Sequence, residues 1–272
     1  MIVPNIQNIL AIASGKGGVG KSTVSVNLAL SLKEQGLKVG LLDADIYGPS
    51  IPLMLGTVGQ KPSTPDNKTF NPIVALGIEL MSIGYIVLKD EATIWRGPMM
   101  SKAIEQLLFQ TNWSDLDYLI IDLPPGTGDA QLTLSQKAGL TAAVLVSTPQ
   151  QVSLIDVKKS LEAFRKLSIP LIGLVENMSY FICDECGSKH HVLGSNNIEK
   201  FSIDNDISLL GQIPMHPRLS EGSDNGQPVI INSEDRLLTK VYQEIASKID
   251  YEVRKIEKPK KSLEDIAVKT EN

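Results

Sequence analysis

Nine consecutive residues constrain the fold of this chain more than any other feature of its sequence. They read Gly15-Lys16-Gly17-Gly18-Val19-Gly20-Lys21-Ser22-Thr23 and fit the spacing G-x-x-x-x-G-K-[ST]. An apolar run at 8–13 precedes them, and apolar residues at helical spacing follow over 22–34. A glycine loop between a strand and a helix turns its backbone N–H groups inward at the positive end of the helix. The sequence therefore predicts a P-loop that binds ATP.

Residues of this loop and of two later strand ends have predicted roles in nucleotide chemistry. Lys21 supplies a charge for the β- and γ-phosphates, and the Ser22 hydroxyl is the expected Mg²⁺ ligand. Asp122 ends the apolar run YLIID, which suits a Walker B carboxylate that holds Mg²⁺ through water. Asp45 follows another short apolar run and is the candidate for orienting the attacking water. Asp43 is its competitor and could be a simple cap.

A second lysine, Lys16, is unusual in this loop because a P-loop needs only one lysine. Two interpretations are open. Lys16 is either a solvated charge at a variable position or a second cation that reaches phosphates, including those of a neighbouring subunit, as an arginine finger does in trans. The second interpretation places Lys16 with Lys21 and Asp45 among the catalytic residues and requires a dimer.

Apolar runs alternate with helical patterns along most of the chain. The runs are continuous rather than alternating, which is typical of parallel strands covered on both faces, and they lie at 8–13, 39–42, 118–121, 142–147 and 171–175. This pattern predicts one α/β domain over 1–251, with a doubly wound, mostly parallel sheet and helices on both faces. An insertion with a short hairpin is expected at 57–89. Of the last 21 residues, 252–272, 11 are charged, so that segment is predicted to be a disordered tail.

The bulk composition fits a cytoplasmic protein. The formal net charge is −5, which argues weakly against a dedicated DNA-coating surface. The N-terminus lacks the basic and apolar regions of a signal peptide, and no apolar stretch is long enough for a membrane span. We therefore expect no nucleic-acid and no membrane partner. The two cysteines, Cys183 and Cys186, are more typical of a metal-binding or redox-active pair than of a structural disulfide in a reducing compartment.

The loop resembles the deviant Walker A motif of the MinD/ParA/nitrogenase iron protein class of P-loop NTPases. Further segments resemble the Mrp/ApbC branch of that class, over about 8–229: DADIYGPSIPLMLG, WRGPMMSKAIEQLL, DYLIIDLPPGTGDAQLTLSQ, ENMSYFICDECG and IPMH followed by LSEGSDNGQPV. Members of that branch are ATP-dependent iron–sulfur cluster carriers.

This resemblance implies several properties. Lys16 would contact nucleotide across a homodimer, Asn177 would contact the adenine, and hydrolysis would be slow and dimer-dependent. Many family members carry a small domain ahead of the P-loop. This chain starts just before its first predicted strand, so that domain is expected to be absent. Relatives with an N-terminal four-cysteine cluster are not matched, since the chain has two cysteines.

The CxxC pair Cys183–Cys186 has four possible interpretations. A thioredoxin-like redox pair would follow a first strand, whereas this pair follows a late one. A zinc site could recruit His190 and His191, although adjacent histidines on an extended segment point in different directions. The thiols could also be inert. A [4Fe–4S] cluster usually takes four thiolates, which a two-fold dimer with both pairs on its axis supplies.

These patterns lead to one main hypothesis and two alternatives. The main hypothesis is a homodimeric ATPase that holds a bridging [4Fe–4S] cluster at Cys183 and Cys186 and transfers it to apo iron–sulfur proteins, with ATP and Mg²⁺ as further cofactors. One alternative is a nucleotide-gated positioning ATPase like MinD or ParA, for which the tail has a poor amphipathic pattern. The other is a P-loop ATPase with a structural zinc loop.

Overall fold

Parallel strands build the core of this protein. The computed structural model describes residue 3 and residues 5–86, 97–126, 128–183, 185–195, 197–231 and 236–256. The strands in this part of the chain are β1 (Ile6–Ala13), β2 (Val39–Asp43), β3 (Ile73–Ala75), β4 (Ile78–Ser82), β5 (Leu116–Asp122), β6 (Ala142–Ser147), β7 (Leu171–Glu176), β8 (Phe181–Ile182), β9 (Lys189–His190) and β10 (Leu209–Gln212).

Eight of these strands form one sheet in the order β10-β7-β6-β1-β5-β2-β4-β3. All neighbours in it pair parallel except β3 and β4, which form an antiparallel hairpin at one edge. β8 and β9 pair with each other as a separate small hairpin. The predicted doubly wound, mostly parallel α/β fold is therefore confirmed.

Helices cover both faces of the sheet, because successive residues of a strand point to opposite sides. Leu10 and Ile12 of β1 lie in a core with the first and last helices, and Ile9 and Ala11 lie in a second core on the other face. The helices are α1 (Lys21–Glu34), α2 (Ile51–Met54), α3 (Gly97–Phe109), α4 (Asp129–Lys137), α5 (Gln151–Lys166), α6 (Asn197–Asp204), α7 (Pro217–Asp224) and α8 (Arg236–Lys255), with short 3₁₀ turns at Ile83–Tyr85 and Val229–Ile231.

Each of the five predicted strands and the predicted first helix is present, with ends within two residues of the prediction. The strand β10 and the hairpin of β8 and β9 were not predicted from the sequence. The hairpin of β3 and β4 lies in the predicted insertion, whose residues 87–89 fall outside the described residues. The helix α8 takes in residues 252–255 of the predicted tail, and residues 257–272 lie outside the described part of the chain.

The register of the sheet brings the candidate site residues to one edge. Asp43 at the end of β2 is the pairing partner of Asp122 at the end of β5, and Asp122 also pairs with Ile12 of β1. β1 lies between β5 and β6, and strands later in the chain lie on both sides of it, so the strand order changes direction there. Ligands bind at such switch points, outside the carboxyl ends of the strands. The loop after β1 therefore lies beside the loops after β2 and β5.

Truncating a side chain at the buried centre of the sheet should destabilise the protein more than truncating one at its exposed edge. Ile120 of β5 is fully buried in the core, whereas Val74 of the edge strand β3 is 71% exposed. We expect Ile120→Ala to lower the free energy of unfolding by about 2–5 kcal/mol. The control Val74→Ala is expected to change it by under about 1 kcal/mol. Urea denaturation of both variants checks this, and equal losses would contradict the assigned register.

Candidate nucleotide site and cysteine hairpin

The glycine loop begins where β1 ends, and α1 begins at Lys21. Gly18 and Gly20 have φ values of 78° and 81°, in the left-handed region that glycine adopts without steric cost. Between them the Val19 side chain is buried and anchors the loop to the core. The Ser14 hydroxyl donates to the Lys16 carbonyl at 3.0 Å. The loop is thus held at both ends with its middle facing a recess.

This recess has a volume of about 240 Å³. Asp45 and most of the predicted phosphate-binding residues line it: Lys16, Gly17, Gly18, Gly20, Lys21, Ser22 and Thr23. The structure therefore brings the loop residues and Asp45 to one recess. Among the described residues, no carboxylate lies within 4.0 Å of the Lys16 ammonium group. Lys16 is only partly buried and remains available to a ligand or a second chain.

A buried ion pair lies at the base of the recess. The Lys21 ammonium is 2.8 Å from Asp122 Oδ2 and 3.4 Å from Asp45 Oδ2. Lys21 is 5% exposed and Asp122 is fully buried. Burial alone would lower the pKa of Lys21, but the carboxylates of Asp122 and Asp45 raise it above its ordinary value. Lys21 is therefore charged, as a phosphate-binding lysine must be.

Asp122 also accepts hydrogen bonds from two serine hydroxyls. Ser22 Oγ donates to Oδ2 at 2.6 Å, and Ser25 Oγ donates to Oδ1 at 2.6 Å. The sequence analysis assigned Asp122 and Ser22 to the same metal site, and that assignment stays a prediction; the contact of Ser25 with Asp122 was not predicted. A signal was present, because Ser25 follows Lys21 by one helical turn and so shares its face of α1.

Asp43 and Asp45 have different environments after β2. Asp43 is fully buried; it accepts from Ser82 Oγ at 2.8 Å and from the Asp45 backbone N–H at 3.2 Å, so it caps the turn. Burial, with the nearby Asp122 carboxylate, raises the pKa of Asp43 to about 7. Burial also raises the pKa of Asp45, against the effect of Lys21. Asp45 Oδ1 is buried with no hydrogen-bond partner among the described residues.

These oxygens fit the preferences of Mg²⁺, which takes hard oxygen ligands and keeps several waters. The Ser22 hydroxyl and the Asp122 carboxylate lie together, and Asp45 Oδ2 is 3.4 Å from the Lys21 ammonium that contacts Asp122. Within the described residues, no group of three or more His, Cys, Asp and Glu side chains could hold a metal ion. An Mg²⁺ ion would therefore depend on phosphate oxygens and water for its remaining ligands.

Asn177 follows β7 and connects the loop to a second cavity. Its Nδ2 donates to the Val19 carbonyl at 2.8 Å, and a Cβ atom on Gly20 would collide with the same amide. The cavity has a volume of about 420 Å³ and shares Gly20 and Thr23 with the phosphate recess. Its other walls come from Asn177, Met178, Met215, His216 and α7. A nucleoside next to the phosphates would enter this cavity.

Gly15 packs against the backbone of α5. A Cβ atom there would lie 2.6 Å from Val157 N and 2.7 Å from Asp156 Cβ, closer than real contacts allow. At Gly17 the nearest atom to such a Cβ is Pro125 Cγ, at 4.0 Å. Gly15 is thus required by close packing, and Gly17 is not.

Cys183 and Cys186 lie in the turn that joins β8 and β9. Ser188 O accepts from the Cys183 N–H at 3.0 Å, and Cys183 O accepts from the Gly187 N–H at 2.8 Å. Both thiols are free, and Cys186 is exposed. Hydrogen bonds from Ser188, and a further one from Cys183, lower the pKa of Cys186 and so favour its thiolate. Cys186 is therefore an accessible thiol that ionises more readily than an ordinary cysteine.

The two histidines do not complete a zinc site with these thiols. His190 is exposed in β9, and His191 Nδ1 lies 3.2 Å from the Ser179 carbonyl with its ring beside Tyr180. The described residues contain no cluster of three metal-binding side chains here. The proposed four-ligand set of Cys183, Cys186 and both histidines is therefore not assembled within one chain, because the His191 ring turns towards Ser179.

Comparison with known proteins identifies the family. A ParA family model described as the NUBPL iron-transfer P-loop NTPase matches residues 5–250. The chain belongs to this family. The resemblance inferred from the sequence motifs is thus confirmed.

Two curated relatives are similar over most of the chain. The iron–sulfur cluster carrier protein of Escherichia coli K12 is 49% identical over 247 residues, which cover 91% of this chain and 67% of the relative. The iron–sulfur cluster transfer protein NUBPL of Dictyostelium discoideum is 46% identical over 248 residues, which cover 91% of this chain and 77% of the relative.

Solved structures support the same fold. A nucleotide-binding protein from Archaeoglobus fulgidus in complex with ADP superposes with a TM-score of 0.76 at 36% identity, covering 88% of this chain and 93% of that one. The cell division ATPase MinD of Pyrococcus furiosus has a TM-score of 0.70 at 21% identity and covers 90% of this chain. In the part of the chain that the structure describes, no helix is long and apolar enough to span a bilayer.

The packing around Gly15 predicts a contrast between two glycines of the loop. We expect Gly15→Ala to lower the free energy of unfolding of the nucleotide-free protein by about 1–3 kcal/mol, because α5 must shift. Gly17→Ala has space and is expected to change it by under about 0.5 kcal/mol. Thermal or urea unfolding of both variants measures the contrast. Similar losses in the two variants would show that Gly15 does not pack against α5 in this way.

The raised pKa of Asp43 predicts a pH-dependent stability. The folded pKa, about 7, lies above the ordinary value of 3.8, so the unfolded chain loses this proton first as pH rises. The wild type therefore loses up to about 1.4 kcal/mol of stability per pH unit from this group between about pH 4 and pH 7. Asp43→Asn lacks this loss.

Urea denaturation at several pH values checks this prediction. The stability of Asp43→Asn relative to wild type should increase from pH 5 to pH 7 and then level off. A difference that stays constant over this range would show that Asp43 ionises normally in the folded protein.

Proposed function

We propose that this chain is an ATP-hydrolysing iron–sulfur cluster carrier. Two copies would hold a [4Fe–4S] cluster between their Cys183 and Cys186 pairs and transfer it to apo iron–sulfur proteins. The observation that carries the proposal is the placement of two free thiols in one exposed turn, on a hairpin whose base borders the cavity next to the P-loop.

The nucleotide part of the proposal assigns a role to each residue of the recess. The loop N–H groups and Lys21 would bind the β- and γ-phosphates, and Ser22 and Asp122 would hold Mg²⁺. When bound, Mg²⁺ neutralises charge on the phosphate oxygens. Asp45 orients a water for attack on the γ-phosphorus, so that a new P–O bond forms while the bond to the leaving ADP breaks, and both protons of the water end on the inorganic phosphate. Asn177 lies where it can contact the adenine.

Binding a nucleotide requires a rearrangement at the base of the recess. Lys21 and Ser22 both bond to Asp122 Oδ2, at 2.8 Å and 2.6 Å. Phosphate needs the Lys21 ammonium, so Lys21 must turn from Asp122 towards the nucleotide, whereas the Ser22 hydroxyl can bind Mg²⁺ through a lone pair and still donate to Asp122. Lys16, which lacks a carboxylate partner among the described residues, supplies the second cation to the nucleotide of the other subunit.

The cluster part of the proposal depends on counting thiolates. A [4Fe–4S] cluster takes four, and each chain has two cysteines. A two-fold axis between two hairpins supplies the remaining two. Cys186 is exposed and Cys183 is partly exposed, so a cluster held there would be accessible to a recipient protein. Accessible thiolates suit transfer better than permanent storage.

The base of the hairpin offers a route between the two sites. The Met215 N–H donates to the Tyr180 carbonyl at 2.7 Å, and the Ser179 N–H donates to the Ile213 carbonyl at 2.9 Å. Met178 and Met215 line the cavity proposed for the nucleoside. A nucleotide would thus contact the two segments from which the cysteine hairpin extends.

The comparisons favour this function over the alternatives. Relatives at 46–49% identity carry the names iron–sulfur cluster carrier and transfer protein, and a structure at 36% identity contains ADP. Slow hydrolysis gated by dimer formation is part of the proposal. Free thiols fit a reducing compartment, and we place the protein in the cytoplasm.

Anaerobic reconstitution with iron and sulfide tests the cluster assignment. We expect about four irons per dimer and a broad visible absorption, with recovery of activity in an apo iron–sulfur enzyme added as recipient. Cys183→Ser and Cys186→Ser should each lose the cluster, because a homodimer of either variant keeps only two of the four thiolates. His190→Ala and His191→Ala are the controls and should retain it.

Two results would contradict the proposal. One is a cluster of unchanged iron content in the cysteine variants. The other is stoichiometric zinc, lost on His191→Ala, in protein isolated without air, which would favour a structural zinc loop.

A further inference from the structure

Ser25 has a contact that its place in a helix does not require. It lies in α1, one turn beyond the P-loop, and is fully buried between the apolar neighbours Val24 and Val26. Its hydroxyl is 2.6 Å from Asp122 Oδ1 and 3.0 Å from the Lys21 carbonyl. The P-loop spacing G-x-x-x-x-G-K-[ST] ends before this position.

The hydroxyl of Ser25 has one proton for two acceptors. A buried serine in a helix ordinarily donates to the carbonyl four residues earlier. Ser31 in the same helix does so, because its Oγ donates to the Asn27 carbonyl at 2.7 Å. At Ser25 the carboxylate oxygen is closer than the carbonyl and carries charge, so it receives the stronger bond.

The two oxygens of Asp122 consequently have separate partners. Oδ1 accepts from Ser25, whereas Oδ2 accepts from Ser22 and Lys21. A carboxylate rotates about one side-chain torsion that is broad and weakly restricted, so a fixed donor on one oxygen determines where the other points. The Ser25 bond directs Oδ2 towards the two groups that bind phosphate and Mg²⁺.

We propose that Ser25 is a positioning residue for Asp122 in the nucleotide reaction. It touches neither the nucleotide nor the metal, and it acts by holding Oδ1 so that Oδ2 faces the Mg²⁺ position when Lys21 turns to the phosphates and Ser22 binds Mg²⁺. This inference rests on the proposed nucleotide function. It predicts an effect on the Mg²⁺-dependent part of nucleotide binding and none on the Mg²⁺-independent part.

Calorimetric binding of a non-hydrolysable ATP analogue, with Mg²⁺ and with EDTA, tests this role without measuring activity. In the wild type, Mg²⁺ should tighten binding. In Ser25→Ala that tightening should shrink on the order of tenfold, the effect of losing one hydrogen bond to a charged group. Binding in EDTA should stay the same, because Lys21 and the loop N–H groups are intact.

Ser31→Ala is the matched control, since it removes a buried serine hydroxyl of the same helix that bonds only to a carbonyl. It should keep the full Mg²⁺ effect. Ser25→Cys nearly preserves the volume and weakens the donor, so it should reproduce the loss if Ser25→Ala folds poorly. In an Asp122→Ala background, Ser25→Ala should cause no further loss, because residue 122 then has no side-chain acceptor for the Ser25 hydroxyl.

Three results would overturn the positioning role. They are an unchanged Mg²⁺ effect in both Ser25 variants, an equal loss in Ser31→Ala, and losses that add in the double variant. A wild-type protein that binds no nucleotide would instead overturn the proposed function, and this inference with it.

Discussion

The ion pair between Lys21 and Asp122 is the interaction on which the candidate site depends. Two opposite charges at 2.8 Å are almost fully removed from water. Breaking such a pair by removing one partner leaves a buried charge without compensation, which costs about 3–5 kcal/mol. The hydroxyls of Ser22 and Ser25 also donate to the carboxylate, one to each oxygen. In this structure Asp122 thus engages the groups that a nucleotide and its metal would use.

The sheet makes this pair possible. Parallel register places Asp122 beside Asp43 and next to the end of β1, and all three strands deliver their loops to one edge. On the same edge, Asn177 ties the P-loop to the end of β7, from which the chain continues into the cysteine hairpin. One edge of the sheet therefore carries both the P-loop and the segment that leads to the two thiols. The carrier hypothesis depends on this proximity.

Much of this arrangement could be predicted from the sequence. The P-loop spacing and the continuous apolar runs identified the fold, because glycine loops and buried parallel strands have strong local signals. Local sequence patterns did not predict those features whose position depends on contacts between distant parts of the chain. The strand β10 is only four residues long, so its sequence pattern is weak. The contact of Ser25 with Asp122 joins residues that are far apart in the chain. The His191 ring lies beside the Ser179 carbonyl and not beside the cysteines. Each of these depends on segments far apart in the chain.

The most direct test of the account is the nucleotide affinity of Asp122→Asn with and without Mg²⁺. If Asp122 occupies the donors of the P-loop, removing its charge should free Lys21 for phosphate. Calorimetry with ADP should then show tighter binding than wild type in EDTA and weaker binding than wild type with Mg²⁺. Equal weakening under both conditions, or no change in either, would contradict the claim that Asp122 competes with the nucleotide for Lys21.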